Sequence, residues 1–434
     1  MKWFYVILTG IVVSMFYFPF EFTFLPGINT KMAMAGLGLI FALLAFTYQR
    51  ELLVSKRLFI LLLIASSVSL VTLFSITYNR TPDTTYVSYI TSAAVWLSAA
   101  FVACTIIYHV HGHINVELIV FYLASVCVFQ CILALVIDYV PAVQRFVDRW
   151  IIGGEFYHEI HRLYGIGVGL DVAGTRFSCV LVALGYFIGR KSGDFKGWKL
   201  ALLFLAFAVI TVIGNMIART TLVGAALGLG YILLCGLNLM RQPFQTKFVR
   251  FIGTIGTVLL ATVPVIIIYY NANEQFHDLM RFGFEGFFSL AETGEWEVSS
   301  NETLEGMVVW PENLKTWIIG DGYFESQRWD PNYIGDAPVY DAGYYMGTDI
   351  GYCRFIFYFG IIGLLAISSV MIYAAFICSK AYPDYTLLFW IALLAGFIMW
   401  WKAATDIFVF FTIFICSSFF NKKENEGTPE AETI

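Results

Sequence analysis

The sequence predicts an all-α polytopic membrane protein with about twelve transmembrane helices and one large extramembrane loop between spans nine and ten. Three observations carry this. Of 434 residues, 59% are hydrophobic and only 13% charged, where ordinary soluble domains carry about 25% charged residues. Mean hydropathy is +0.75. The apolar residues also come in runs long enough to cross a bilayer. Together these exclude an ordinary soluble enzyme and a disordered chain. Net charge −5 and a pI near 5.7 provide no basic field for nucleic acid.

Twelve runs are read as spans, at 3–20, 32–48, 58–77, 87–108, 116–140, 164–189, 199–216, 220–240, 251–270, 351–379, 385–401 and 406–420. The first follows Lys2, but Phe18-Pro19-Phe20-Glu21 offers no small-residue cleavage site, so it reads as a span and not a signal peptide. Residues 1–270 then hold helices one to nine, 271–350 the large loop, 351–420 helices ten to twelve, and 421–434 a polar tail. Lys and Arg set the orientation. With the N-terminus cytoplasmic, the inner segments hold fourteen of them and the outer segments eight, so both termini are expected inside. All eight cysteines lie in or at the edge of apolar runs, which predicts no disulfide framework.

The large loop differs from every other connection. Residues 271–348 carry 14 acids and 3 bases, a net of −11, with Trp296, Trp310, Trp317, Trp329, Tyr323, Tyr333, Tyr340, Tyr344 and Tyr345. Such aromatic content argues against disorder. Two uses fit it: a folded cap whose rings form its own small core, or a sugar-binding surface of flat rings and carboxylates.

Charges inside lipid are costly and point to function. Arg176 lies within span six, Arg219 at the outer turn between spans seven and eight, and Arg354 at the outer end of span ten. Arginine stays charged and binds phosphate bidentately, so three at one membrane level predict a site for a lipid-linked diphosphate. The structural alternative is local pairing, such as Arg176 with Asp171, or snorkelling. Asp349, just before span ten, is a candidate general base whose pKa partial burial would raise; its structural alternative is a helix N-cap. His158 and His161 have metal-compatible spacing but lack a third ligand nearby, so an interfacial amphipathic helix is the simpler reading. Lys402 and Asp406 read as an interfacial ion pair, with an ion pathway as the alternative. The His109–His113 turn carries no catalytic weight.

Three local patterns resemble a known family. They are Ala173-Gly174-Thr175-Arg176-Phe177-Ser178; Ala218-Arg219-Thr220-Thr221-Leu222-Val223-Gly224; and Ile319-Gly320-Asp321-Gly322-Tyr323 followed by Thr348-Asp349 and Phe359-Gly360-Ile361-Ile362-Gly363-Leu364. In order and spacing, over roughly 160–380, they are similar to the O-antigen polymerase and ligase superfamily of bacterial envelope glycosyltransferases. The ligase branch has a histidine where this chain has Asp349, eleven residues before Gly360. That departure favours a polymerase. The resemblance implies glycosyl transfer on the periplasmic face of the inner membrane, from an undecaprenyl-diphosphate-linked glycan to a lipid-linked repeat unit, with no metal or nucleotide sugar. It implies a chain-length regulator as a partner besides the bilayer. Arg176, Arg219 and Arg354 would stabilise the leaving diphosphate, and Asp349 would accept the acceptor's proton. Arg162, Asp321, Tyr323, Asp341, Tyr344 and Tyr345 are the candidate substrate-binding residues, with Asp321 and Asp341 as second-choice carboxylates. Competing readings are a ligase delivering finished glycan to lipid A core or protein, and a flippase for lipid-linked sugars. Unequal halves and outward arginines speak against the flippase.

Overall fold

Long apolar runs have no water to satisfy their backbone, so they fold as helices that satisfy it internally. A computed structural model describes residues 2–49, 55–159, 162–190, 195–236, 264, 267–325 and 344–426; among these there is no β-strand. The N-terminal helices are α1 (Lys2–Tyr17), α2 (Thr30–Gln49), α3 (Lys56–Asn79), α4 (Tyr89–His111) and α5 (Val116–Tyr139). Two short helices follow, α6 (Pro141–Trp150) and α7 (Gly154–Glu159), and then α8 (Leu170–Arg190), α9 (Gly197–Ile217) and α10 (Thr221–Gly236). Next come short α11 (Glu274–Gly283), α12 (Glu285–Glu292), α13 (Ser299–Gly306) and α14 (Leu314–Ile319). The chain closes with α15 (Gly351–Ala381), α16 (Thr386–Met399) and α17 (Phe408–Glu426).

Six of these, α3, α4, α5, α8, α9 and α15, are long and apolar enough to cross a membrane. Their composition makes this a membrane-embedded protein. The apolar parts of α1, α2, α10, α16 and α17 are shorter, 10–17 residues. The run at 251–270 lies mostly outside the described residues. All eight cysteines are buried and free.

The chain forms two compact units. One is contiguous, Leu123–Glu302; the other combines Met1–Tyr122 with Thr303–Ile434. The acidic 271–350 segment thus contributes to both.

In the contiguous unit α8 is the central helix: 89% of its apolar window is buried, against 33% for α3. Its tightest neighbour is α10, because small residues let the backbones meet. A side chain at Gly224 would sit 2.2 Å from Ser178 Cα, and one at Gly185 would sit 2.6 Å from Gly228 Cα. The Ser178 hydroxyl donates to Thr220 O (2.8 Å) and accepts from Gly224 N–H (3.1 Å). Helix α8 begins six residues later than expected. Gly165 N–H bonds Val168 O (2.8 Å), turning the chain first.

In the discontinuous unit α15 is broken. Phe359 (φ −137°) and Gly360 (φ 67°, ψ −173°) leave helical geometry within it. A break at membrane depth needs new partners for its backbone, since each orphan would cost several kcal/mol. The Gly320–Gly322 loop supplies them. Asp321 N–H donates to Phe357 O, Gly322 N–H to Tyr358 O (3.1 Å), and the Ser75 hydroxyl of α3 also donates to Tyr358 O (2.8 Å). Gly320 and Gly322 are both at positive φ, 77° and 78°. A Cβ on Gly360 would lie 2.1 Å from Ile318 O, so loop and helix meet backbone to backbone. The loop is tied to α3 and its following turn by Asn79 Nδ2 to Gly320 O (3.1 Å) and Thr81 Oγ1 to Gly322 O (2.8 Å).

Candidate functional site

Arg219 lies between α9 and α10, at a turn that leaves its side chain free to reach α11 and α12. Its Nε donates to Phe282 O (3.0 Å), Nη1 to Ser300 Oγ (3.0 Å), and Nη2 pairs with Glu285 Oε2 (2.8 Å). One turn earlier, the fully buried Asn215 donates from Nδ2 to Gly283 O. Two side chains four apart therefore grip consecutive carbonyls, which fixes Phe282 between them in sequence. The Phe282 ring carries two guanidiniums: Arg219 at 4.1 Å and Arg162 at 3.8 Å from its centroid.

Arg162 reaches this ring from an anchored loop. Its N–H bonds Tyr157 O (2.9 Å), and two residues on, the Tyr164 hydroxyl donates to Asp148 (2.7 Å). Ile166 N–H bonds the Gln130 side chain of α5 (3.1 Å). Burial, and after it the charge of Arg219, lowers the Arg162 pKa from its ordinary value. Burial also lowers that of Arg219, against the opposing pull of Glu285. Arginine remains charged under such shifts. Of these two like charges over one ring, Arg219 is bonded to Glu285 and Arg162 feels the opposing charge of Asp171. The α8 N-terminus is joined to this turn, since Thr220 Oγ1 donates to Asp171 Oδ1 (3.2 Å).

The remaining expected residues divide. Arg176 is buried in α8 at 8% exposure. Arg354, Asp349, Asp321, Tyr323, Tyr344 and Tyr345 belong to the discontinuous unit. Arg354 is enclosed by aromatic rings, its guanidinium 3.2 Å from the Tyr344 centroid and 3.8 Å from that of Phe324. Only a loose contact to Glu325 (3.5 Å) balances it, and its Nε is buried with no hydrogen-bond partner. A phosphate could reach it only after these groups moved, so the geometry is that of a structural pin.

Asp349 is exposed, and the N-cap of α15 is Ile350. The Ile350 N–H donates to Thr348 Oγ1 (3.2 Å). Asp321 is tied to Lys315 (2.7 Å), Thr316 (2.6 Å) and Tyr345 (3.2 Å), which corrects its reading as an available carboxylate. Tyr323 and Tyr345 stack at 5.2 Å in a core with Ile350, Cys353 and Phe357. They are packing residues, not an open sugar-facing surface. Asp341 lies outside the described residues, as does His161. His158 bonds Asp148 (3.0 Å) and Tyr164 (3.0 Å), joining α7 to α6. Asp406 accepts from Phe408 N–H (2.6 Å) at the start of α17.

Sequence reasoning missed Phe282, Glu285, Ser300 and Asn215. Asn215 had a readable signal, a carboxamide in an apolar span. The others lie on short helices of the 271–348 segment, which was read only by its composition. Compared with family models, curated proteins and solved structures, the chain finds no match.

Proposed function

We propose that this chain is a bacterial inner-membrane polysaccharide polymerase that joins undecaprenyl-diphosphate-linked repeat units. In this reading twelve helices cross the membrane, both termini are cytoplasmic, and the 271–350 segment faces the periplasm. The observation that carries it is the pair Arg162 and Arg219 over Phe282, with Arg219 immobilised by three polar partners. Cations held in place by the protein stabilise charge developing on a leaving diphosphate. Glu285 would yield part of its hold on Arg219 to the phosphate. Asp349, exposed and next to the start of α15, is the candidate base that takes the acceptor hydroxyl proton as the new glycosidic bond forms. The proton goes to the carboxylate, and the bond to the lipid diphosphate breaks.

A transporter of lipid-linked sugars would draw on the broken α15, because discontinuous helices often frame transport sites. Here the break is filled by the protein's own Gly320–Gly322 loop, which leaves those carbonyls satisfied. That favours the enzyme. Deletion with glycan profiling tests the choice. Loss of polymer with single repeats still on their final acceptor supports a polymerase. Polymer accumulating on undecaprenyl diphosphate means a ligase, and repeat units trapped on the inner leaflet mean a flippase.

A further inference from the structure

Helix α6 has two unlike faces. On the inner one Val143 and Val147, with Ile151 just after, pack with Ile137 of α5 and Tyr164. On the outer one Phe146 is 65% exposed and Trp150 41% exposed. They stand four residues apart, so the two rings share a side of the helix. Arg145 and Arg149, also four apart and also exposed, run along its edge. The Arg149 guanidinium is 5.6 Å from the Trp150 ring centroid. Arg145 forms no ion pair among the described residues.

This outer face continues a lipid-facing surface. Helix α5 is long and apolar enough to cross a membrane. Its Phe129, Ile132 and Val136, and Val140 just after it, recur at three- and four-residue steps and are all exposed, so they form one stripe toward lipid. The stripe ends at Val140, which is the N-cap of α6, and Pro141 opens that helix. The exposed apolar surface thus passes from a span onto a short helix that adds a tryptophan and two arginines. Rings at the acyl boundary and cations among the phosphates are what the headgroup layer favours. The charge is complementary too. Between residues 140 and 154 the only acid is Asp148, and it is turned inward to Tyr164 (2.7 Å) and His158 (3.0 Å). The chain as a whole is at −5, so a basic outer face on α6 is a local feature and not an overall one.

We propose that α6 docks in the headgroup layer at the C-terminal end of α5, with Phe146 and Trp150 against acyl chains and Arg145 and Arg149 on the phosphates of anionic phospholipids. Asp148 on its inner face holds Tyr164, two residues from Arg162, so contact with the bilayer also steadies the loop that carries Arg162. The docking stands independently of what Arg162 binds.

The test uses the full chain with p-benzoylphenylalanine in place of Phe146, in nanodiscs of equal parts phosphatidylcholine and phosphatidylglycerol. After irradiation, mass spectrometry reads which molecule the probe has captured. The expected result is lipid adducts, with phosphatidylglycerol about ten-fold over phosphatidylcholine. That excess should fall toward an even yield in the double variant Arg145→Gln, Arg149→Gln, and the melting temperature should be kept because both side chains are exposed. High salt should shrink the excess with both arginines in place, which keeps the test sharp if the double variant folds poorly. No lipid adduct, adducts mainly to protein, an even yield of the two lipids with both arginines present, or an excess untouched by the double variant and by salt would each overturn the proposal.

Discussion

Arg219 and Arg354 both stand at the end of an apolar helix, and both lie against aromatic rings, yet they are held in opposite ways. Arg219 has its N–H groups bonded to a carbonyl, a hydroxyl and a carboxylate, and a second arginine shares its ring. Arg354 has rings at 3.2 and 3.8 Å, one long contact to an acid, and a buried Nε with nothing to bond. Hydrogen bonds fix where a guanidinium points, and a neighbouring like charge makes it receptive to an anion. Rings cover the guanidinium and close it off. The kind of partner separates a guanidinium held by directed bonds from one covered by rings.

The largest effect should come from Arg219. Arg219→Lys keeps the charge but loses the planar fork, so polymer output should fall on the order of a hundred-fold with normal protein level. A full glycan ladder from this variant would break the contrast at its stronger end. Gly360→Ala should come next, and should act on folding. It forces a side chain at φ 67° into Ile318 O at 2.1 Å. Strain of this kind costs at least ~1–3 kcal/mol, visible as a lowered melting temperature and less folded protein by size exclusion.

Arg354→Met should be milder. Losing a cation on two rings costs roughly 0.5–2 kcal/mol, so stability should drop while activity per folded molecule persists. Inactive but fully stable protein would move Arg354 back to the substrate. The smallest effect concerns the exposed Arg281–Glu292 pair. The hydrogen bond from Arg281 holds the Glu292 carboxyl below its usual range. Its folded pKa is therefore depressed, so its stabilisation is present at neutral pH and fades as pH falls through that lowered value. The melting temperature gap between the native protein and Glu292→Gln should be small at pH 7 and should close in acid. A gap that widens in acid would refute the sign.

Much of the helical pattern was legible because lipid-length apolar runs leave little choice of structure. Among the described residues, helix stands at eleven of the expected runs, six of them long enough to cross, and the run at 251–270 lies mostly outside them. The break in α15 was not legible. Gly360 and Gly363 marked a small-residue step, but the break depends on Gly320, forty residues away, meeting Tyr358 backbone to backbone. The site was half legible. Arg162 and Arg219 announced themselves as cations next to apolar spans, whereas Phe282 became meaningful only once Arg219 held its carbonyl and Asn215 that of Gly283. Tyr323 and Tyr345 misled because composition cannot tell a ring that faces a sugar from one that faces Phe357.

The bonds from α3 and its turn to the 320–324 loop span about 240 residues, from Asn79 to Gly320, Thr81 to Gly322 and Asp83 to Phe324. The whole of Leu123–Glu302 is encoded between them. During synthesis, Ser75, Asn79, Thr81 and Asp83 must therefore wait while an entire unit emerges. Closing so long a loop is slow. Until residue 303 onward is made, the polar edge of α3 is open. A chain ending before the 320–324 loop would leave these polar groups of α3 and its turn without those partners.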